Sequence, residues 1–66
     1  MYYEIGQKIK ELRQFYDITQ KELAEDICTQ ATICKIERGE IQPTSLILHQ
    51  LAIRLGVDAN YFFFRI

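Results

Sequence analysis

Two short amphipathic segments stand almost back to back in the middle of this chain, and their spacing leaves little freedom for what it can fold into. The first, Thr19-Gln20-Lys21-Glu22-Leu23-Ala24-Glu25-Asp26-Ile27, opens on the capping-box spacing of Thr19 and Glu22 and carries Leu23, Ala24 and Ile27 on one face. The second, Thr29-Gln30-Ala31-Thr32-Ile33-Cys34-Lys35-Ile36-Glu37-Arg38-Gly39, opens on a residue whose hydroxyl can accept from a free backbone N–H and closes on a glycine able to turn left-handed. Only Cys28 stands between Ile27 and the Thr29 cap, so the two predicted helices must cross sharply through a tight turn. At about 100° per residue, Ile33 and Ile36 fall on one side of the second helix with Thr29 and Glu37 beside them. Ala31, Lys35 and Arg38 point the opposite way, and Gln30 sits at the exposed N-terminal corner.

The flanks supply further helices. Ile5, Ile9, Leu12 and Tyr16, at steps of four, three and four, predict a first helix from about Tyr3 to Tyr16 with that stripe in the core. Gly6 lies inside it, which implies either a weakened first turn or a close approach of another helix. Asp17 and Ile18 make the connection, Asp17 tolerating the turn and Ile18 returning inward. After Gly39, Pro43 stiffens a loop that ends at Thr44, the expected cap of a fourth helix over about 45–55, with Leu48, Leu51, Ala52 and Leu55 inward and Gly56 as its stop. Leu46, Ile47 and Ile53 are apolar off that stripe. Asp58 is expected to cap a last short helix from Ala59 to about Phe64, with Ala59, Phe62 and Phe63 at core spacing and Tyr61, Phe64 and Ile66 facing out. The predicted fold is all-α, one bundle of five short helices.

A chain of 66 residues buries only about 60% of its extended surface, so it holds one small core and a single domain, residues 1–66. No apolar run approaches the roughly 18 residues of a membrane span and no signal peptide opens the chain, which predicts a soluble, cytoplasmic protein. Cys28 and Cys34, with His49, could be read as a disulfide or metal site. Six residues apart along a helix means roughly 9 Å of rise, beyond disulfide reach, and a fourth metal ligand at ordinary spacing is missing. Plain reduced thiols are expected, no metal and no cofactor, with His49 a surface or boundary residue. One histidine and two distant cysteines assemble no nucleophile, base and acid, so an enzyme is not expected.

The stretches Thr19-Gln20-Lys21-Glu22-Leu23-Ala24-Glu25 and Ile33-Cys34-Lys35-Ile36-Glu37-Arg38-Gly39-Glu40, with Pro43 and Leu51-Ala52-Ile53-Arg54-Leu55-Gly56-Val57, resemble the DNA-binding domain of phage-repressor-like, Cro/C1-type (XRE) regulators over nearly all of the chain. The likeness implies a lambda-repressor-like bundle with its helix-turn-helix over about 19–39. The connection Ile27-Cys28-Thr29 departs from the usual turn, which carries a Gly and one more residue; in this it is similar to the N-terminal domain of peptide-sensing Rgg/PlcR-type regulators of Gram-positive bacteria. The same likeness implies an ion pair between Arg13 and Glu37, places Gln42 and Thr44 near the DNA backbone, and favours a phosphate contact for Gln20, whose position alone fits simple exposure equally well.

The expected function is sequence-specific binding of double-stranded DNA as a transcriptional regulator. On the outward face of the second segment, Gln30 suits adenine, Lys35 suits guanine O6 and N7, and the Ala31 methyl can touch a thymine methyl. Thr32, Arg38, Gln20, Gln42 and Thr44 would position the phosphate backbone. A net charge of −1 argues against holding DNA by bulk electrostatics and for reliance on a homodimer. Tyr61 and Phe64, with Ile47 and Ile53 at the edge, are the expected seam, and a two-fold pair demands an inverted-repeat operator with half-site centres roughly 10 bp apart, or about twice that. A peptide-sensing domain following Ile66 would fit the resemblance. The competing class is a protein-interaction module, such as an antitoxin gripping a partner protein, favoured by the near-neutral charge and the aromatic C-terminal end.

Overall fold

A computed structural model of the protein describes residues 2–63, with side chains over 4–62. Four α-helices and one 3-10 turn follow in order: α1 Tyr2–Phe15, α2 Gln20–Ala24, α3 Gln30–Glu37, α4 Ser45–Leu55 and η1 Ala59–Phe63. No strand occurs among the described residues.

Three threonines set three of the helix starts, each through a hydroxyl that takes up a first-turn N–H left without an intrahelical acceptor. Thr19 Oγ1 accepts from the Glu22 N–H at 3.0 Å while the Glu22 carboxylate accepts from the Thr19 N–H at 2.9 Å, the complete capping box. Thr29 Oγ1 accepts from the Thr32 N–H at 3.1 Å and Thr44 Oγ1 from the Ile47 N–H at 3.2 Å. The ends rely on left-handed residues. Gly39 (φ 78°) and Gly56 (φ 75°) close α3 and α4, and Asp17 (φ 59°) and Asp26 (φ 65°) do the same work after α1 and α2, aspartate being among the side chains that tolerate this region.

One core joins all five elements: Ile5 and Ile9 of α1, Leu23 and Ala24 of α2, Ile33 and Ile36 of α3, Leu48, Leu51, Ala52 and Leu55 of α4, and Phe62 of η1. Gly6 is where α1 presses on α3. A Cβ there would overlap the Ile36 carbonyl oxygen and lie 2.9 Å from Ile36 C and 3.0 Å from Glu37 Cα, so the glycine marks a close helix approach rather than a weak turn.

Several expectations need correction. The second helix stops at Ala24 instead of running to Ile27, because Glu25 leaves the helical region (φ −54°, ψ 128°) and Asp26 turns left-handed. The connection to Thr29 is therefore the four residues 25–28, not Cys28 alone, and Asp26 stands in the left-handed conformation that a turn glycine would otherwise supply. Tyr16, expected on the core stripe, is 50% exposed and meets Phe15 edge to face, since the chain tightens after Phe15 and reverses at Asp17. Ile47 is half-buried and packs on the core, which removes it from the free apolar face. The fifth element is a 3-10 turn rather than an α-helix: the Tyr61 N–H bonds back three residues to the Asp58 carbonyl at 2.9 Å, while the Asp58 carboxylate accepts from the Asn60 N–H at 2.8 Å. Phe64 and Ile66, and the side chain of Phe63, lie outside the described residues.

Candidate nucleic-acid interface

α3 is held at its inner side and open at its outer one. Ile33 and Ile36 are fully buried, whereas Gln30, Ala31, Lys35 and Arg38 are exposed, so the base-reading and cationic candidates share one solvent face. Lys35 and Arg38 give it positive charge, which Glu40 partly offsets through a 3.5 Å pair with Arg38. Two exposed side chains at that distance contribute little to stability, so Arg38 remains available to a stronger anion. Gln42 and Thr44 are exposed beyond the end of α3, on either side of the buried Pro43. Thr32 is half-buried, with its hydroxyl 2.9 Å from that of Thr29.

The back of α3 is fixed by a polar network. Arg13 Nε donates to Glu37 Oε2 at 2.7 Å and Nη2 to Oε1 at 3.1 Å, a bidentate pair whose side chains are only 13% and 4% exposed. The remaining arm of Arg13, Nη1, donates to the Ile18 carbonyl at 2.9 Å and so ties down the α1–α2 connection. Gln20 donates from Nε2 to Glu37 Oε1 at 3.0 Å. One amide N–H of Gln20 is thereby committed to the network, which leaves its other N–H for a different acceptor. Together Arg13, Gln20 and Glu37 join the first three helices behind the exposed face, and no buried side-chain polar atom among the described residues lacks a partner.

Two further contacts had no sequence signal. Arg54 reaches from α4 to the carbonyls that end α2, donating from Nη1 to Glu22 at 3.1 Å, Leu23 at 3.4 Å and Glu25 at 2.7 Å. Lys8 places its ammonium 5.5 Å from the Tyr61 ring centroid and donates to the Tyr61 carbonyl at 3.2 Å, so α1 holds η1 in place. Tyr61 is nonetheless 42% exposed, and Ile53 66%. Cys28 and Cys34 are separate, half-buried thiols, and desolvation pushes the Cys28 thiol above its ordinary value, which keeps it protonated at neutral pH. His49 is exposed. Among the described residues no group of acidic, histidine or cysteine side chains could hold a metal, and no helix is long and apolar enough to cross a membrane.

A family model described as helix-turn-helix matches residues 9–62, which takes in the Arg13–Glu37 network and all of α2 to α4. PlcR of Bacillus thuringiensis, solved in complex with the peptide PapR7 and DNA, superposes with a TM-score of 0.90 at 34% identity, over 92% of this chain and 22% of PlcR. The clp gene regulator ClgR of Corynebacterium glutamicum superposes with a TM-score of 0.88 over 94% of this chain and 67% of ClgR; at 22% identity that likeness concerns the fold alone. No protein with a curated description matches by sequence.

Proposed function

This chain belongs to the Cro/C1-type helix-turn-helix family of DNA-binding transcription regulators, and on that premise we propose that it reads a specific duplex sequence with the outer face of α3. The observation that carries the proposal is the division of α3 into a fully buried side, Ile33 and Ile36, and an exposed side bearing Gln30, Ala31 and Lys35. In this reading those three meet base edges, Arg38, Thr32, Gln42 and Thr44 meet phosphates, and Gln20 reaches a phosphate with the N–H that Glu37 leaves available. Lys35→Ala tests it. A base contact contributes about 1–3 kcal/mol of discrimination, whereas a lost phosphate contact weakens all sequences alike. The variant is expected to flatten preference at one or two base pairs per half-site in a binding-site selection; a uniform loss across sequences would move Lys35 to the phosphates.

The proposal includes a two-fold dimer, because one recognition helix reads too few base pairs to single out a site in a genome. Its seam draws on exposed Tyr61 and Ile53. Tyr61→Asp is expected to shift the sedimenting species toward monomer and to weaken operator binding. Unchanged sedimentation would remove Tyr61 from the seam. By likeness to PlcR, a peptide-sensing domain in the same protein is also proposed. Exposed Ile53, Leu46 and Phe15 favour one second reading, a module that grips a partner protein, and such a module would show no salt-dependent affinity for random duplex.

A further inference from the structure

We propose that Arg54 is a positioning residue for the DNA-reading helix, a clamp from α4 on the turn that launches α3. The last carbonyls of a helix have no intrahelical partner, and in a helix as short as α2 they make up most of it. Here the Arg54 guanidinium supplies the donors: the hydrogens of Nη1 are shared among the carbonyls of Glu22, Leu23 and Glu25, with Glu25 nearest at 2.7 Å. A cation at this end also opposes the partial negative charge of the helix terminus.

Glu25 is where the chain leaves α2, so the shortest bond falls on the hinge itself. Immediately beyond it the Ile27 and Cys28 N–H groups both return to the Ala24 carbonyl at 2.9 Å, around left-handed Asp26. Every backbone bond of this four-residue turn therefore leads back to the end of α2, and beside the core packing of Leu23 and Ala24 Arg54 gives that end a polar fastening to α4. Beyond its buried Ile33 and Ile36, α3 is thus held at two polar points. The Arg13–Glu37 pair anchors its last turn, and the clamped turn sets the start, where Gln30 and Ala31 follow Thr29 directly. Loosening the clamp alters the tilt of α3 about its Glu37 end, and the first-turn side chains move furthest. Arg54 touches no base in this account; it acts through the turn.

The inference rests on the DNA-reading proposal, and its test separates the two. Arg54→Met keeps the aliphatic stem and removes the donors, while Arg54→Lys restores a single charged donor. Amide hydrogen exchange at Ile27 and Cys28, measured without DNA, is expected to quicken about tenfold in Arg54→Met relative to the amides of α4, and to recover in part in Arg54→Lys. The affinity ratio between the duplex enriched from a random pool and random duplex is expected to fall about tenfold, with random-duplex affinity itself changed less than about twofold because phosphate contacts dominate it. Should Arg54→Met fail to fold, Arg54→Lys carries both measurements with smaller expected changes. Parent-like exchange at Ile27 and Cys28 overturns the clamp whatever the DNA result. Faster exchange with an unchanged affinity ratio overturns the positioning role. A parent domain that enriches no duplex overturns the DNA reading instead, and exchange then decides the clamp alone.

Discussion

Glu37→Ala is expected to lower stability by about 3–5 kcal/mol, the cost of breaking a buried pair by removing one partner. The magnitude follows from what is left behind. Arg13 would keep its guanidinium in a site 13% exposed with Nε and Nη2 unpaired, and Gln20 would lose the acceptor of its amide. A domain of this length has only about 3–10 kcal/mol of stability in all, at roughly 0.05–0.15 kcal/mol per residue, so a loss of that size removes from about a third of it to all of it. Glu37→Gln, which keeps an acceptor oxygen for Arg13 but not the charge, should fall between. Thermal or urea unfolding followed by circular dichroism measures both, and an alanine variant that melts like the parent would show that the network does not brace α3.

Gly6→Ala follows from the other end of the same helix contact. In an isolated helix the change would be favourable by up to about 1 kcal/mol. Here the added methyl meets backbone on α3, the Ile36 carbonyl and Glu37 Cα, which cannot swing aside as a side chain tip would. Overpacking costs typically about 1–3 kcal/mol, and backbone contact puts this site at the upper end, so a net loss of about 2 kcal/mol is expected. For a domain of this size that is about 8–16 °C in Tm. The shift also separates α1 from α3 where Arg13 must reach Glu37, so Gly6→Ala and Glu37→Ala should combine less than additively. A Gly6→Ala variant that melts at or above the parent would contradict the close approach.

Where a feature is written in neighbouring residues, the sequence was enough to find it. The caps at Thr19, Thr29 and Thr44 are contacts across three residues, and the stops at Gly39 and Gly56 depend on a single residue's freedom. The inward sides of α3 and α4 followed from helical period. Arg13 and Glu37, 24 residues apart, were matched only through a family resemblance, since no periodicity links them. The errors have the opposite character. Apolar period carried α2 on to Ile27, but the backbone breaks at Glu25, and Asp26 in the left-handed region is not distinguished by pattern from an acidic residue in a helix. Tyr16 continues the stripe of Leu12 in sequence and leaves it in space because Asp17 reverses the chain. Ile47 lies off the core stripe of α4 by period, yet packs against the core. Arg54 carried no signal at all, because its partners are carbonyls about thirty residues away, and carbonyls have no residue type to recognise.

The candidate interface divides in the same way. Which side chains of α3 face solvent was legible from its period, while the commitment of Gln20 to Glu37, seventeen residues away, depends on how α2 and α3 come together. What α3 reads is the central question, and selection of bound duplexes from a random-sequence pool addresses it most directly, with the salt dependence of the enriched duplex measured alongside. Reading by α3 in a two-fold pair should yield an enriched inverted repeat with half-site centres roughly 10 bp apart, or about twice that, and an affinity that falls steeply as salt rises. A pool that emerges unenriched, with affinity indifferent to salt, would contradict it.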